Sequence, residues 1–119
     1  MSAGERSRIG YCQQCIPERE SDIQAAIKDY LGWHGWFCWK VHQSLGSFKG
    51  VSDLIAVKNG KVLFIEVKTS TGRLGVHQQA FRDELTRHGG TYIVARSVED
   101  VREAMARLTW GSPDGGDGR

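Results

Sequence analysis

An Asn59-Gly60 dipeptide lies between two short apolar runs and strongly limits the folds open to this chain. Asn-Gly in this setting is typical of a two-residue type I′ hairpin turn, because both turn positions need a positive φ. The sequence therefore predicts two antiparallel strands, one over residues 51–57 and one over residues 61–68. Counting away from the turn, one residue on each strand at a time, pairs Asp53 with Glu66.

The predicted hairpin brings three ionisable side chains to one end of an otherwise apolar strand pair. Opposed residues have Cβ atoms about 4.5–5.5 Å apart, so Asp53 and Glu66 would repel each other unless a cation lay between them. Side chains alternate along a strand, which places Lys68 on the same face as Glu66. Mg²⁺ suits such a site, and two acids, a divalent ion and a lysine can hydrolyse a phosphodiester bond. The alternative is an exposed charge pair with no catalytic role.

The remaining patterns predict an α/β domain with the element order αβββαβα and a mixed sheet flanked by helices. Apolar residues at helical spacing indicate a first helix that begins near Pro17, or at a capping box of Ser21 and Gln24. This helix should end at Gly32 and Gly35. The other predicted elements are a strand over 36–42, a helix over 76–88, a strand over 91–95 and a last helix N-capped by Ser97.

Length and composition restrict the class of protein. A chain of 119 residues fits one domain, and its net charge of +2 is only weak support for a nucleic-acid partner. No apolar run could cross a membrane and the N-terminus lacks the apolar centre of a secretory signal, so we expect a cytoplasmic protein without a membrane partner. We assign residues 1–15 to an irregular lead-in, 16–110 to the domain and 111–119 to a disordered tail rich in Gly and Asp.

Two further polar side chains fall on helix faces that should point inward. Glu20 shares its face with Ile23 and Ile27, which is unusual for an acid unless a charged group lies opposite. It could be a further metal ligand or a supporting group. Gln78 shares its face with Phe81 and is either an ordinary helix-terminal amide or a polar group directed at the two acids.

Taken together, these residues resemble the D…(D/E)-x-K signature of the PD-(D/E)XK nuclease superfamily, and in finer detail the virus-type replication-repair nuclease (VRR-NUC) domain. The resemblance covers about residues 20 to 99. Two positions depart from the pattern, since Gly75 stands where the family usually has serine and Ser52 replaces the proline of the superfamily's name. The matching parts are an acid in an early helix, the G-x-x-D segment 50–53, F-I-E-V-K at 64–68 and L-x-x-x-Q-x-x-F at 74–81.

The resemblance implies a DNA nuclease that depends on Mg²⁺ or Mn²⁺. By residue-wise transfer, Asp53 and Glu66 would be metal ligands, with the Val67 carbonyl as a third oxygen. Lys68 would be the catalytic lysine, and the site would be supported by Glu20 and Gln78. Short stand-alone members, which are bacterial and phage proteins, resemble Holliday junction resolvases and act as homodimers, whereas longer relatives with extra domains cut flaps. A flap- or restriction-like nuclease and a non-catalytic DNA-binding module are the alternatives.

Several side chains near these motifs have two interpretations. From spacing, Lys49, Arg73 and Lys40 would contact DNA phosphates, or they are ordinary solvated charges. His77, beside Gln78, is a further candidate to approach the substrate. Aromatic residues can stack on unpaired bases, but they more often fill a core or an interface; this applies to Trp33, Trp36 and Trp39.

The cysteines give a weaker signal. Cys12 and Cys15 form one C-x-x-C pair, which Cys38 and His42 could complete as a zinc site. A single pair falls short of the usual pattern, and reduced thiols are the better interpretation.

Overall fold

A computed structural model describes residues 19–44 and 47–108 of the chain. The predicted lead-in at 1–15, the tail at 111–119, Pro17 and the Cys12–Cys15 pair lie outside these residues. The predicted element order αβββαβα is confirmed. The elements are α1 (Glu20–Trp33), β1 (Phe37–Lys40), β2 (Leu54–Lys58), β3 (Lys61–Val67), α2 (Val76–Arg87), β4 (Thr91–Ala95) and α3 (Val98–Arg107).

The four strands form one mixed sheet in the order β1-β2-β3-β4. β1 pairs antiparallel with β2, β2 pairs antiparallel with β3, and β4 adds parallel to β3. The α2 helix supplies the crossover between the two parallel strands, as such a connection requires. The mixed α/β fold predicted from the sequence is therefore confirmed.

The hairpin between β2 and β3 has the predicted turn and register. Asn59 and Gly60 have φ values of 51° and 79°, as a type I′ turn demands. Ladder pairing runs from Lys58–Lys61 at the turn to Leu54–Ile65 at the far end. β2 begins at Leu54 and is shorter than the predicted strand; in the segment before it, the Gln43 side-chain amide donates to the Val51 carbonyl over 2.8 Å. Asp53 thus comes immediately before the strand.

One face of the sheet packs against α1 and α3 and forms the hydrophobic core. Leu63, Ile65 and Val67 alternate along β3 onto this face and are fully buried. They meet Ile27 of α1 and Val101 of α3 in the same apolar cluster. Burying each such side chain stabilises the fold by roughly 1.5–3 kcal/mol. Residues 19–44 and 47–108 contain no helix that could span a lipid bilayer.

The opposite face carries α2, which lies over β3 and β4. The Phe81 ring of α2 contacts Phe64 of β3 and Tyr92 of β4, with centroids 5.9 Å and 6.1 Å away. Phe64 and Glu66 alternate onto this face, away from the core side chains between them. The end of β3 therefore presents its charged residues beside the first turns of α2.

The helix ends differ from expectation in one respect. α1 begins at Glu20 after an N-cap at Arg19 that makes no side-chain capping bond, so the predicted capping box of Ser21 and Gln24 is wrong. Glu20 and Asp22 lie in the first turn, where acidic side chains favour a helix start through the helix dipole. The predicted cap of α3 is confirmed, because the Ser97 hydroxyl accepts the Asp100 N–H over 3.2 Å.

Candidate active site

Two carboxylates meet at the end of the hairpin. The Asp53 carboxylate, just before β2, accepts the backbone N–H of Val67 at 2.8 Å, which anchors it across the strand pair. Glu66, one residue earlier on β3, is only 1% exposed. The charge of Asp53 raises the pKa of Glu66, so the two groups lie close together, as the turn predicted.

This arrangement makes ionisation of Glu66 costly. Burial raises its pKa to about 8, and the nearby Asp53 and Glu20 carboxylates add to the effect. Lys68 opposes it, with its Nζ 3.7 Å from Glu66 Oε2. The other carboxylate oxygen, Oε1, is buried and has no hydrogen-bond partner in the described part of the chain. A buried acid with one unpaired oxygen and two acidic neighbours is costly to ionise unless a cation lies beside it.

The Gln78 side chain connects the acids to α2. Its Oε1 accepts the N–H of Gly75, the N-cap residue of α2, at 2.8 Å. Its Nε2 donates to Glu66 Oε2, also at 2.8 Å. The same amide thus caps the helix and orients the carboxylate, so the two interpretations of Gln78 hold together. A capping group at this position also supports the helix start without the serine expected at residue 75.

The donor set fits a hard divalent cation. Carboxylate oxygens are the ligands that Mg²⁺ and Mn²⁺ prefer, and Asp53 and Glu66 offer two such groups at one point. Across residues 19–44 and 47–108, no cluster of three or more His, Cys, Asp or Glu side chains could hold a metal ion. The predicted set contains only two acidic side chains, so oxygens from the Val67 carbonyl, water or substrate would have to complete the coordination.

An open cavity of about 660 Å³ lies beside the acids. Lys68 and Gln78, which both contact Glu66, form part of its wall. Two of the predicted phosphate contacts, Lys49 and Arg73, also line it, as does His77. Lys40 is exposed at the end of β1 and is not part of the cavity wall. The cavity is basic, and two of its lining residues, Lys68 and Gln78, contact Glu66 directly.

Three residues near the site were not predicted from the sequence. Gly50 packs against α2 so closely that an added Cβ would lie 2.1 Å from the His77 carbonyl oxygen. Arg96 bonds to the loop after Lys68, and burial together with the charge of Glu66 raises the pKa of Tyr92. These contacts join residues 24 or more positions apart, so no local pattern predicts them. The family pattern includes Gly50, as the first residue of G-x-x-D, and Tyr92, but it gives neither residue a role in the site.

The aromatic and sulfur-containing residues also have clear positions. Trp36 is 7% exposed and fills the core, whereas Trp33 is 83% exposed at the end of α1. Burial raises the pKa of Cys38 to about 11, against a smaller opposing effect of Lys28. That shift disfavours the thiolate that a zinc ligand needs.

Two comparisons with known proteins point to the same family. A model of the VRR-NUC domain matches residues 6–99 of this chain. A solved structure described as a "VRR_NUC domain" superposes with a TM-score of 0.66 and 22% sequence identity, covering 75% of this chain and 96% of the other. At that identity the likeness shows the fold alone. None of the curated proteins matches. Because the family model spans most of the sequence, the chain belongs to the VRR-NUC domain family, whose fold is that of the PD-(D/E)XK nucleases.

Proposed function

We propose that this protein is a metal-dependent DNA endonuclease that hydrolyses phosphodiester bonds in four-way junctions and acts as a homodimer. The observation that carries the proposal is the meeting of Asp53 and Glu66 beside Lys68, at the wall of a basic cavity. This is the set of groups needed to hold a cation against a phosphodiester and to attack it with water.

Asp53 and Glu66 would hold Mg²⁺ or Mn²⁺, with the Val67 carbonyl as a further oxygen ligand. When bound, the ion supplies positive charge against the phosphoryl oxygens. It also offsets the repulsion that raises the pKa of Glu66. Gln78 keeps the Glu66 carboxylate in a single orientation, and Glu20 adds negative charge that favours a cation there.

Lys68 would act on the substrate directly. Its Nζ lies 3.7 Å from Glu66 Oε2, and its side chain is 12% exposed, so the ammonium stands between the metal ligands and the cavity. From there it can orient the attacking water and stabilise the charge that develops on the phosphate. Lys49 and Arg73, further along the cavity wall, would hold neighbouring phosphates, and Lys40 would contact DNA outside the cavity.

A homodimer suits a four-way junction, because resolving it takes two symmetric cuts and a two-fold dimer carries two identical sites. The protein would do this work in the cytoplasm of a bacterium or a phage-infected cell. Sedimentation of the protein with and without junction DNA tests the dimer. A complex containing two chains is expected, and one chain per junction would contradict this part of the proposal.

The activity test compares a four-way junction, a flap and a linear duplex of matched sequence, with Mg²⁺, Mn²⁺ or a chelator. We expect the wild type to cut the junction. Cutting should be lost when a chelator is added and in the Asp53→Asn variant. Asp83→Asn is a matched control, because that acid is two-thirds exposed on α2 and pairs with its neighbour Arg82. Equal cutting of the duplex would point to a restriction-like enzyme, preferred cutting of the flap to a flap nuclease, and binding without cutting to a non-catalytic module.

A further inference from the structure

A second basic cavity adjoins the candidate active site. It has a volume of about 400 Å³ and lies on the loop between β3 and α2. Its walls carry two guanidinium groups and two hydroxyls, and in the described part of the chain no acidic side chain lines it. The lining residues are Ser70, Thr71, Gly72, Arg73 and Arg96.

Arg96 is held in place before any ligand arrives. Its Nη1 donates to the carbonyl oxygens of Thr69 and Gly72, the second at 2.7 Å. Its backbone N–H donates to the Asp100 carboxylate at 2.8 Å, which ties the residue to the first turn of α3. The guanidinium therefore loses little further rotamer freedom when it binds a ligand.

Most of the hydrogen-bonding capacity of Arg96 remains available. A guanidinium has five N–H donors, and Nη1 supplies two of them. Over residues 19–44 and 47–108, the three donors on Nε and Nη2 have no hydrogen-bond partner. A planar fork of donors matches the oxygens of a phosphate, and hydroxyls such as those of Ser70 and Thr71 also donate to phosphates.

The second cavity is connected to the first through two residues. Arg73 lines both, so the cavities share a wall. Gly72 lies against the stem of Lys68, since an added Cβ would be 3.3 Å from Lys68 Cδ. A DNA strand with one phosphate at Lys68 would thus have a neighbouring phosphate within reach of this loop.

We infer that Ser70, Thr71, Arg73 and Arg96 form a second phosphate-binding site, which takes a backbone phosphate of the DNA strand next to the one being cut. The inference rests on the proposed nuclease function and names a further substrate contact. Occupation of the site also restrains the loop that covers the Lys68 stem, because Arg96 holds that loop through two carbonyls.

The test measures binding of a labelled four-way junction in chelator at a series of salt concentrations. Each phosphate contact contributes a slope of about 0.9 to the dependence of log affinity on log salt. Arg96→Gln should lower the slope by about 0.9 for each protomer and weaken binding about five- to tenfold at low salt. Arg102→Gln is the control, because this exposed arginine of α3 pairs with Glu99 and lines neither cavity.

Two more variants separate phosphate binding from simple support of the loop. Arg96→Lys keeps the charge but not the fork, so the slope should stay while affinity falls. Ser70→Ala combined with Thr71→Ala leaves the Arg96 bonds intact and should weaken binding about two- to threefold with an unchanged slope. This pair keeps the test valid if Arg96→Gln does not fold.

Specific outcomes would overturn the inference. It fails if Arg96→Gln has the salt slope of the wild type, or if the double hydroxyl variant binds as tightly as the wild type. It also fails if the wild type does not bind the junction in chelator. The proposed function is judged separately by cutting in Mg²⁺: a protein that cuts the junction with an unchanged Arg96→Gln slope keeps the nuclease and loses the second site. A protein that binds the junction through Arg96 but never cuts it keeps the second phosphate-binding site and loses the nuclease function.

Discussion

On one face of the sheet, Leu63, Ile65 and Val67 of β3 are fully buried beneath α1 and α3. On the other face, the same strand ends in Glu66 beside Lys68, next to the first turn of α2. The first face lowers the free energy of the folded state through apolar burial. The second raises it, because a carboxylate is buried with acidic neighbours. A strand that alternates its side chains can thus separate stability from chemistry at adjacent positions.

The two faces also differ in how well they are covered. On the α2 side, apolar side chains of β1 and β3 remain open to solvent: Phe37 is 68% exposed and Val62 39%. On the α1–α3 side, their immediate chain neighbours Cys38 and Leu63 are half-buried and fully buried. Neighbouring residues of one strand thus lie on opposite faces, and substituting them one at a time tests whether the two faces differ in function and in stability.

The largest effect is expected from Lys68 on the chemical face. Lys68→Met keeps the aliphatic stem but removes the charge beside Glu66, and junction cutting should fall about 10²- to 10³-fold. Thermal stability in chelator at neutral pH should change less than cutting does, because Glu66, whose pKa is already about 8, can stay protonated when Lys68 is removed. Lys28→Met, an exposed lysine of α1, is the matched control. Cutting by Lys68→Met at the wild-type rate would remove this residue from the mechanism.

The next effect compares the two faces by stability. Leu63→Ala should lower the free energy of unfolding by about 2–5 kcal/mol, because it opens a cavity in the core. Val62→Ala, one position away and facing the α2 side, should cost less than about 1 kcal/mol. Urea denaturation at a fixed protein concentration and in chelator measures both. Equal losses of free energy of unfolding for the two variants would show that the α2 side of the sheet is covered in solution by groups outside the described residues.

A third prediction concerns the close packing of Gly50 on α2. Gly50→Ala should destabilise the protein by about 2 kcal/mol and slow cutting, because the new Cβ would push the loop with Lys49 away from His77. Gly60→Ala is the control: it has a similar φ of 79°, but nothing lies within 4 Å of an added Cβ. It should carry only the cost of the backbone conformation, about 1 kcal/mol. Identical effects on cutting would show that the contact with His77 does not matter.

Contacts set by local sequence could be predicted, whereas contacts between residues far apart in the chain could not. The Asn59-Gly60 turn dictates the register, and alternation then places Glu66 and Lys68, so the centre of the site could be derived by counting. The Arg96 contacts with the loop after Lys68 could not, because they depend on how β4 lies beside β3. The alternative start at Ser21 is wrong for a local reason: the helix begins at Glu20, with two acids in its first turn and no side-chain capping bond at its N-cap.

The smallest effect, per pH unit, is expected in the stability of the metal-free protein. The pKa of Glu66 in the folded state is about 8, raised from an ordinary value of 4.5 chiefly by burial and by Asp53. The folded protein therefore holds a proton that the unfolded chain releases between these two values. The contribution of Glu66 to the free energy of unfolding should therefore be greatest below about pH 4.5. It should fall as the pH rises towards 8, by at most about 1.4 kcal/mol per pH unit.

Glu66→Gln isolates this contribution, because the amide has nearly the same shape and no titration. The difference between wild type and Glu66→Gln in free energy of unfolding, measured in chelator from pH 5 to pH 8, should turn steadily against the wild type. Added Mg²⁺ should reverse the trend and stabilise the wild type more at pH 8 than at pH 6, since a cation competes with the proton for the ionised acid. If the difference does not change with pH, Glu66 is ionised throughout, and the contrast between a stabilising and a destabilising face of the sheet no longer holds at this residue.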